Sequence, residues 1–548
     1  MVAEQLKSLV KGDVLSDEET LSAFSRDASL FELRPQVVVA PKDSEDIARL
    51  VNYVSEHSGS SSHLSLTVRS GGTDMTGGPL SDSIVLDMSR SFNQILEVNS
   101  EYARTQPGVF YRDFERETLR RDRLMPSYPA SKDICTVGGM VANNSGGEKT
   151  LAYGKTEDYV MELKAVLADG KEYVFAPLKK QDLEMKMKLD TFEGQIYKKL
   201  YTLLEENKEL IEQAKPQVSK NSAGYFLWNV WDGESFDLTK LLTGSQGTLG
   251  IITEIQFRLI QPKKLSKMLV IFMKEKDMVN LGNIAAALAV LKPETFESYD
   301  DNTFKLGIKF FPQMLKILKP KNIFTMLWHL LPELWMLITG GVPKLVLMAE
   351  FTSNDEDELE KQLLKAQEAI KPFALKSRIT RSEEEENEFW VIRRQSFNLL
   401  RNKIKGKQTA PFIDDIIVRP EFLPEFLPKL NALIARYKDY LVYTVAGHVG
   451  DGNFHIIPLM DLSDPAARAV IPKLSDEVYD LVNAFHGSIT AEHNDGLIRT
   501  PYLEKMYGEK VYQLFEEVKK IFDPQNIFNP GKKVGANKAF AMAHIRKS

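Results

Sequence analysis

The sequence predicts an α+β protein built of two large units. Short apolar runs alternate with amphipathic stretches throughout the 548 residues. Three glycine-dense loops border apolar runs in the first half of the chain. A polar stretch, Gln261-Pro262-Lys263-Lys264, separates that half from a second series of strand-like and helix-like segments. At about 150 residues per domain the length allows three or four units or two large ones. The pattern favours two, residues 1–262 and 263–535, with a tail at 536–548.

Taken in order, Gln36 to Ala40 is a short apolar run stopped by Pro41, and residues 43–46 (DSED) offer caps for a helix from Ile47 to Val54. Leu66 to Arg69 reads as a strand running into a glycine loop. Ile84 to Met88 and Ala103 to Thr105 read as further strands, and Gly108 to Arg120 as a helix. Residues 191–214 have the charge density of an exposed helix, and Gly247 to Leu259 reads as the strand that closes the first unit. In the second unit Met268 to Met273 and Leu345 to Phe351 are strand-like, and Asp355 to Ile370 is an amphipathic helix. Glu383 to Glu386 reads as the solvated start of a helix, and Thr444 to Pro458 combines strand and turn signals.

Composition excludes several functions. The one cysteine, Cys135, rules out an internal disulfide, a four-cysteine zinc site and a cysteine-ligated iron–sulfur cluster. Any electron chemistry therefore needs an organic cofactor or a metal held by histidine and carboxylate. A net charge of −6 is a poor match to the phosphate neutralisation that nucleic-acid binding requires. The first 25 residues contain no apolar leader and the last few no lipidation box, so the expected compartment is the cytoplasm.

The glycine loops read RSGGTDMTGG at 69–78, TVGGMVANNSGG at 136–147 and GSQGTLG at 244–250. Glycine permits positive φ and lets backbone N–H groups approach an anion. The first has neither the spacing of a Rossmann motif nor that of a P-loop. A tight turn explains any one of them alone; three in one unit, each beside an apolar strand, suit a long cofactor bearing a pyrophosphate. In the second unit His448 and His455 bracket Gly450-Asp451-Gly452, and Glu492 adjoins His493. On one straight strand residues seven apart would face opposite sides about 23 Å apart. The Gly-Asp-Gly turn can fold the chain back so that both imidazoles converge. Two histidines and a carboxylate suit a zinc-like or other divalent cation with an open position, whereas isolated histidines of this kind more often cap turns.

These loops, together with QPGV at 106–109, YG at 153–154 and VLADG at 166–170, fall in an order that resembles the FAD-binding domain of the vanillyl-alcohol oxidase and p-cresol methylhydroxylase (PCMH) family. GHVGDGNFH at 447–455, AEH at 491–493 and DPQNIFNPGK at 523–532 resemble the C-terminal domain of its FAD-linked 2-hydroxy-acid dehydrogenases. That subgroup includes D-lactate dehydrogenase, the glycolate oxidase flavin subunit and D-2-hydroxyglutarate dehydrogenase. The resemblance runs from about residue 25 to 535 and is weak between roughly 275 and 345. It implies a two-subdomain PCMH-type FAD-binding domain followed by an FAD-linked oxidase C-terminal cap domain.

The resemblance further implies FAD contacts at Arg69, Ser70, Gly71, Gly72, Thr73, Asp74 and Gly77, at Val137, Gly138, Gly139, Ala142, Asn143 and Gly146, and at Ile252. Some relatives attach FAD to a histidine where this chain has Thr73. Others use a cysteine near Cys135, which reads here as a small buried apolar residue, so the FAD is expected to be non-covalent. Gln246 stands where the family more often has glutamate. By the same resemblance His448, His455 and Glu492 are metal ligands, with zinc the first candidate, and His493 is the base. Asn453 is a substrate contact, and Arg393, in Trp390-Val391-Ile392-Arg393, meets the substrate carboxylate, with Arg394 as the fallback. Asn494 departs from the family's glycine and raises the question of whether it accepts a left-handed backbone.

The implied reaction is oxidation of a D-2-hydroxy acid resembling D-lactate to the 2-oxo acid. Hydride passes to flavin and electrons go on to a quinone or protein acceptor. Two alternatives are an FAD transferase resembling alkyl-dihydroxyacetonephosphate synthase and a flavin subunit inactive without a partner. A lysine-flanked apolar insert at about 308–340 reads either as a peripheral contact with the cytoplasmic face of the membrane or as a packed helical insert.

Overall fold

A computed structural model describes residues 2–57, 64–309, 341–403 and 406–547. The apolar insert at 308–340 lies almost wholly outside the described residues. Among the described residues no helix is long and apolar enough to cross a membrane.

Among the described residues two larger sheets, and a two-stranded one of Leu178–Lys179 and Ser235–Phe236, form the first half. In the first, Asp13–Leu15, Val37–Ala40, Ile84–Asp87 and Leu66–Arg69 lie side by side, with Ile84–Asp87 parallel to both of its neighbours. Val37, Val39, Leu66, Ile84 and Leu86 pack against Ile47, Leu50, Val51 and Val54 of the helix Ser44–His57. Parallel pairing forces a crossover out of the end of Leu66–Arg69, and the first glycine loop begins there. The second sheet is antiparallel and orders Ile95–Val98, Tyr102–Thr105, Ile251–Arg258, Val160–Val166 and Glu172–Phe175. The helix Tyr111–Leu119 buries Phe114 on this sheet. The charged 191–214 stretch is two helices, Phe192–Glu206 and Lys208–Ala214. It is not the exposed helix its charge suggested, because Ile196, Leu200, Leu203 and Leu204 form a buried stripe beneath the charges.

The second half holds a small three-stranded sheet of Gln408–Thr409, Leu459–Met460 and Leu441–Val442, and is built on a seven-stranded antiparallel one. Its order is Lys376–Ile379, Leu265–Met273, Leu345–Ser353, Thr295–Asp300, Val445–His448, Asn453–Ile456 and Ile416–Ile417. Helices Leu281–Ala289, Glu356–Ile370, Leu423–Ala435 and Pro465–Ala484 cover one face. Asp355 caps the second of these by accepting from Glu358 N. On the other face Phe389 and Trp390, from the helix Glu383–Lys403, pack on Met268, Val270, Val346 and Met348. The acidic start of that helix is solvated only in part: Glu383 and Glu384 are exposed, whereas Glu385 and Glu386 are buried. Glu385 pairs with Arg378, and Glu386 accepts from Ser266 and Thr380. These acids meet partners on distant strands, which local charge patterning cannot reveal.

The chain then returns to the first half. Helix Glu509–Phe522 buries Val511, Leu514, Phe515 and Val518 in the core of the five-stranded sheet. Each such side chain contributes about 1.5–3 kcal/mol of burial. Beyond it, Leu66 N donates to Ile527 O and Asn529 N donates to Leu66 O, adding residues 527–529 beside the strand that leads into the first glycine loop.

The two halves also meet through charge. Lys149 pairs with Glu294, which accepts from Tyr153 and Thr352 as well, and Glu148 pairs with Arg394. Glu350, beside these groups, has its pKa pushed up to about 8, chiefly by burial and partly by Glu294 and Glu148, with Lys149 opposing. A raised carboxyl pKa means the native state keeps a proton that the unfolded chain has lost. Its stabilisation is complete below the ordinary carboxylate range and drains away as pH climbs through about 8. Against Glu350→Gln, the wild type should lose on the order of 4 kcal/mol between pH 5 and pH 9. Urea denaturation at both pH values measures this, and parallel pH profiles for the two proteins would show that Glu350 does not titrate in this window.

Candidate active site

The three glycine loops converge on one cleft. Arg69, Ser70, Gly71, Gly72, Thr73 and Asp74 line it from the first loop, and Gly138, Gly139, Ala142, Asn143 and Gly146 from the second. Gln246, Gly247 and Ile252 contribute from the third. The backbones crowd closely: a Cβ on Gly71 would lie 2.8 Å from Ile134 O, and one on Gly138 2.6 Å from Pro107 O. Thr136 caps the helix Val137–Asn143, its Oγ1 accepting from Gly139 N. Two of the expected contacts do not line the cleft. Gly77 turns toward Phe31 and Leu497, and Val137 is fully buried in the core beneath the five-stranded sheet. Asp74 braces its own loop, its Oδ2 accepting from Thr76 N, Thr76 Oγ1 and Gly78 N while Asn143 Nδ2 donates to its Oδ1. Cys135 also lines the cleft, and burial pushes its thiol up to about 12, so it stays protonated at neutral pH.

Glu492 and His493 form part of the same cleft wall. The strands Val445–His448 and Asn453–Ile456 are a hairpin closed by Gly450-Asp451-Gly452, with Ala446 opposite His455 and His448 opposite Asn453. Directly opposed residues share a face, as do residues two apart, so this register puts His448 and His455 on one side of the sheet. Their Nε2 atoms stand 3.2 Å apart, and Glu492 Oε2 lies 3.4 Å from the first and 3.9 Å from the second. The His493 ring stacks on His455 at 5.1 Å between centroids.

Buried carboxylates fix these rings. Glu297 Oε1 is 2.6 Å from His448 Nδ1, and Asp414 Oδ1 and Oδ2 lie 3.3 Å and 3.0 Å from the Nδ1 atoms of His455 and His493. With protons on Nδ1, the Nε2 lone pairs of His448 and His455 face each other and Glu492 Oε2. Three acceptors so close repel unless a cation or proton sits among them. Tetrahedral ligands about 2.05 Å from a zinc ion are about 3.3 Å apart, so this set has suitable spacing. A second grouping, Asp415, His455, Glu492 and His493, brings its ligand atoms within 4.8 Å of one another. Asp415 is the weaker candidate, because its Oδ2 already accepts from Thr490 Oγ1 and from the backbone N–H groups of Glu492 and His493.

Burial alone would lower the His448 pKa, but Glu297 outweighs it and raises the value to about 9. His493 also reaches about 9, through Asp415 and Asp414 against the same burial effect. Glu492 is held well below the ordinary range, with Lys220 and His448 overcoming its burial.

Arg393 is buried against Glu297, the carboxylate that orients His448. Arg394 pairs with Glu148 and lies over the Trp390 ring. Asn453 Nδ2 donates to Asp415 Oδ1 and Ile416 O, while its Oδ1 has no hydrogen-bond partner among the described residues. Asn494 does take the left-handed backbone, at φ +69°. Sequence reasoning missed Lys220, Glu297, Asp414 and Asp415. The Asp414-Asp415 doublet inside the apolar run FIDDIIV at 412–418 was the available signal, since two acids interrupting such a run need buried partners.

Similarity to known proteins follows the same division of the chain. Residues 35–175 match the FAD binding domain family and residues 276–533 the family of FAD linked oxidases, C-terminal domain. D-2-hydroxyglutarate dehydrogenase of Pseudomonas putida is 28% identical over 532 residues, 95% of this chain and 50% of that protein. Glycolate oxidase subunit GlcD of Bacillus subtilis is 28% identical over 93% of this chain and 91% of that one. The chain thus spans about half the length of the first of these relatives. Among solved structures, 4-ethylphenol oxidase from Gulosibacter chungangensis superposes with a TM-score of 0.68 at 15% identity, covering 97% of this chain and 96% of that one. Alkyldihydroxyacetonephosphate synthase superposes with a TM-score of 0.64 at 16% identity, over 96% of this chain and 84% of that one. These likenesses share the fold.

Lys220 supplies the prediction. Its fully buried Nζ donates to Glu492 Oε1 at 2.6 Å and lies 3.0 Å from Asp451 Oδ2. Lys220→Met strands two buried carboxylates and should cost about 3–5 kcal/mol in urea denaturation. Adding Glu492→Gln should restore part of it. Wild-type stability in Lys220→Met would show that the pair is solvated.

Proposed function

The chain belongs to the FAD-linked oxidases, and on that premise we propose that it oxidises a D-2-hydroxy acid to the 2-oxo acid. One observation carries the reading: the cleft lined by the three flavin loops shares a wall, Glu492 and His493, with the histidine cluster. A substrate seated there would have the flavin on one side and the cation ligands and a base on the other.

Bound FAD would supply the acceptor for the C2 hydride, held non-covalently because Thr73 offers no linkage and Cys135 remains a thiol. His448, His455 and Glu492 would hold a divalent cation, zinc by their donor set, which would polarise the substrate hydroxyl. His493, its Nδ1 fixed by Asp414, takes the hydroxyl proton at Nε2. The carboxylates favour a protonated His493, and a bound dication would oppose them and favour the neutral imidazole. Arg393, which shares Glu297 with His448, would meet the substrate carboxylate, with Arg394 as the second candidate, and Asn453 would contact the substrate. A quinone or a protein then takes the electrons. The enzyme works in the cytoplasm, and the 308–340 insert is the candidate for contact with the membrane face.

Anaerobic mixing with a panel of D- and L-hydroxy acids tests this, the flavin absorbance reporting reduction. D-lactate or D-2-hydroxyglutarate should bleach it, L-isomers should not, and a chelator should slow the reaction. A chain that holds FAD yet is bleached by no D-acid would instead fit the non-oxidising transferase or a partner-dependent subunit. His493→Ala should keep its FAD and lose roughly 10²–10⁴-fold in the rate of bleaching; near-normal bleaching would remove His493 from the role of base.

A further inference from the structure

Asn494 joins the segment carrying Glu492 and His493 to both of the later flavin loops. Its Nδ2 donates to Gly244 O at 2.8 Å and Asn143 O at 3.2 Å. Its Oδ1 accepts from Lys533 Nζ at 2.7 Å and from Asp495 N. Two residues on, Gly496 N donates to Gln246 Oε1 at 2.9 Å, and Gln246 Nε2 donates to Asn143 Oδ1 at 3.2 Å. Asn143 and Gln246 themselves line the flavin cleft. The second loop also touches the cation-site carboxylate directly, since a Cβ on Gly146 would lie 3.0 Å from Glu492 Oε1. Among these ties between the groups that meet the cofactor and those that would hold the cation, the one buried amide of Asn494 reaches both later loops at once. That amide stands on a left-handed backbone that asparagine tolerates and most residues do not.

Resting on the FAD and cation sites assigned above, we propose that Asn494 is a positioning residue that couples flavin retention to cation binding. A ligand that fixes the 492–494 segment also fixes the carbonyls of Asn143 and Gly244, and the dependence runs equally in both directions. Neither ligand need touch Asn494 for this to hold.

The test measures FAD release from the holoprotein by recovered flavin fluorescence after dilution, with zinc added or with chelator. Metal analysis of the same samples runs in parallel. Wild type should retain FAD roughly fivefold or more tightly with zinc than with chelator, within the ordinary range of coupling between sites. Asn494→Gly keeps the positive φ and deletes the amide; it should lose most of that difference. Asn494→Asp keeps the acceptor for Lys533 and removes the donor to both loops, and it should lose the difference as well. Retention by wild type that is identical with zinc and chelator overturns the proposal, as does either variant keeping the full wild-type difference. If wild type takes up no zinc, the cation site falls together with the coupling; zinc uptake without a change in retention fails the coupling alone. Bleaching by hydroxy acids is read separately, so failure of the assigned reaction leaves these measurements intact.

Discussion

Buried negative charge is the constraint around which this protein is organised. Glu297, Asp414, Asp415, Asp451 and Glu492 are each at most 5% exposed and crowd three imidazoles. Removing such groups from water costs several kcal/mol apiece unless each finds a counter-charge or a dense set of donors. The fold provides both: Lys220 for Glu492 and Asp451, Arg393 for Glu297, and converging backbone N–H groups for Asp415. The partners come from strands, hairpins and loops far apart in sequence. Lys220 is the member that the first half contributes, so Glu492 and Asp451 meet this counter-charge only when the two halves dock.

The same crowding is visible in the backbone. Of the eleven non-glycine residues with positive φ among the described residues, six surround this junction: Asn144, Gln246, Asp415, Asn494, Asn529 and Lys533. Such conformations cost of order 1–3 kcal/mol each and persist where the surroundings over-determine them. Here they aim side-chain amides and carboxylates at carbonyls and N–H groups of neighbouring loops. Asn529 Nδ2, for example, donates to Gly78 O and Gln246 O and so ties the first glycine loop to the third.

Local chemistry was legible in the sequence and distant pairing was not. Glycine density marked the three loops because backbone permissiveness is a property of the residue itself. The Gly-Asp-Gly turn implied the convergence of His448 and His455 because a hairpin's register fixes which side chains share a face. The amphipathic helix expected from Asp355 to Ile370 was equally readable. Glu297, Asp414 and Lys220 were opaque, since an acid or a lysine shows no sign of burial until its partner is known. The run at 383–386 misled for that reason, its inner glutamates answering Arg378, Ser266 and Thr380. Gly77 and Val137 lie within loops that were correctly placed, but one turns aside and the other points into the core. A motif specifies a loop more reliably than the facing of each residue in it.

The late return of the chain governs how the protein can be made. Leu66 is bracketed by hydrogen bonds to residues 527 and 529, and Phe515 and Phe522 complete the core beneath the five-stranded sheet. These contacts close loops of several hundred residues, so the topology is of high contact order and commits slowly. A ribosome delivers the flavin loops long before it delivers the segment that pins them. The nascent first half must wait with an unfinished core and an unpaired strand edge, which makes this interval the one in which a chaperone would matter most.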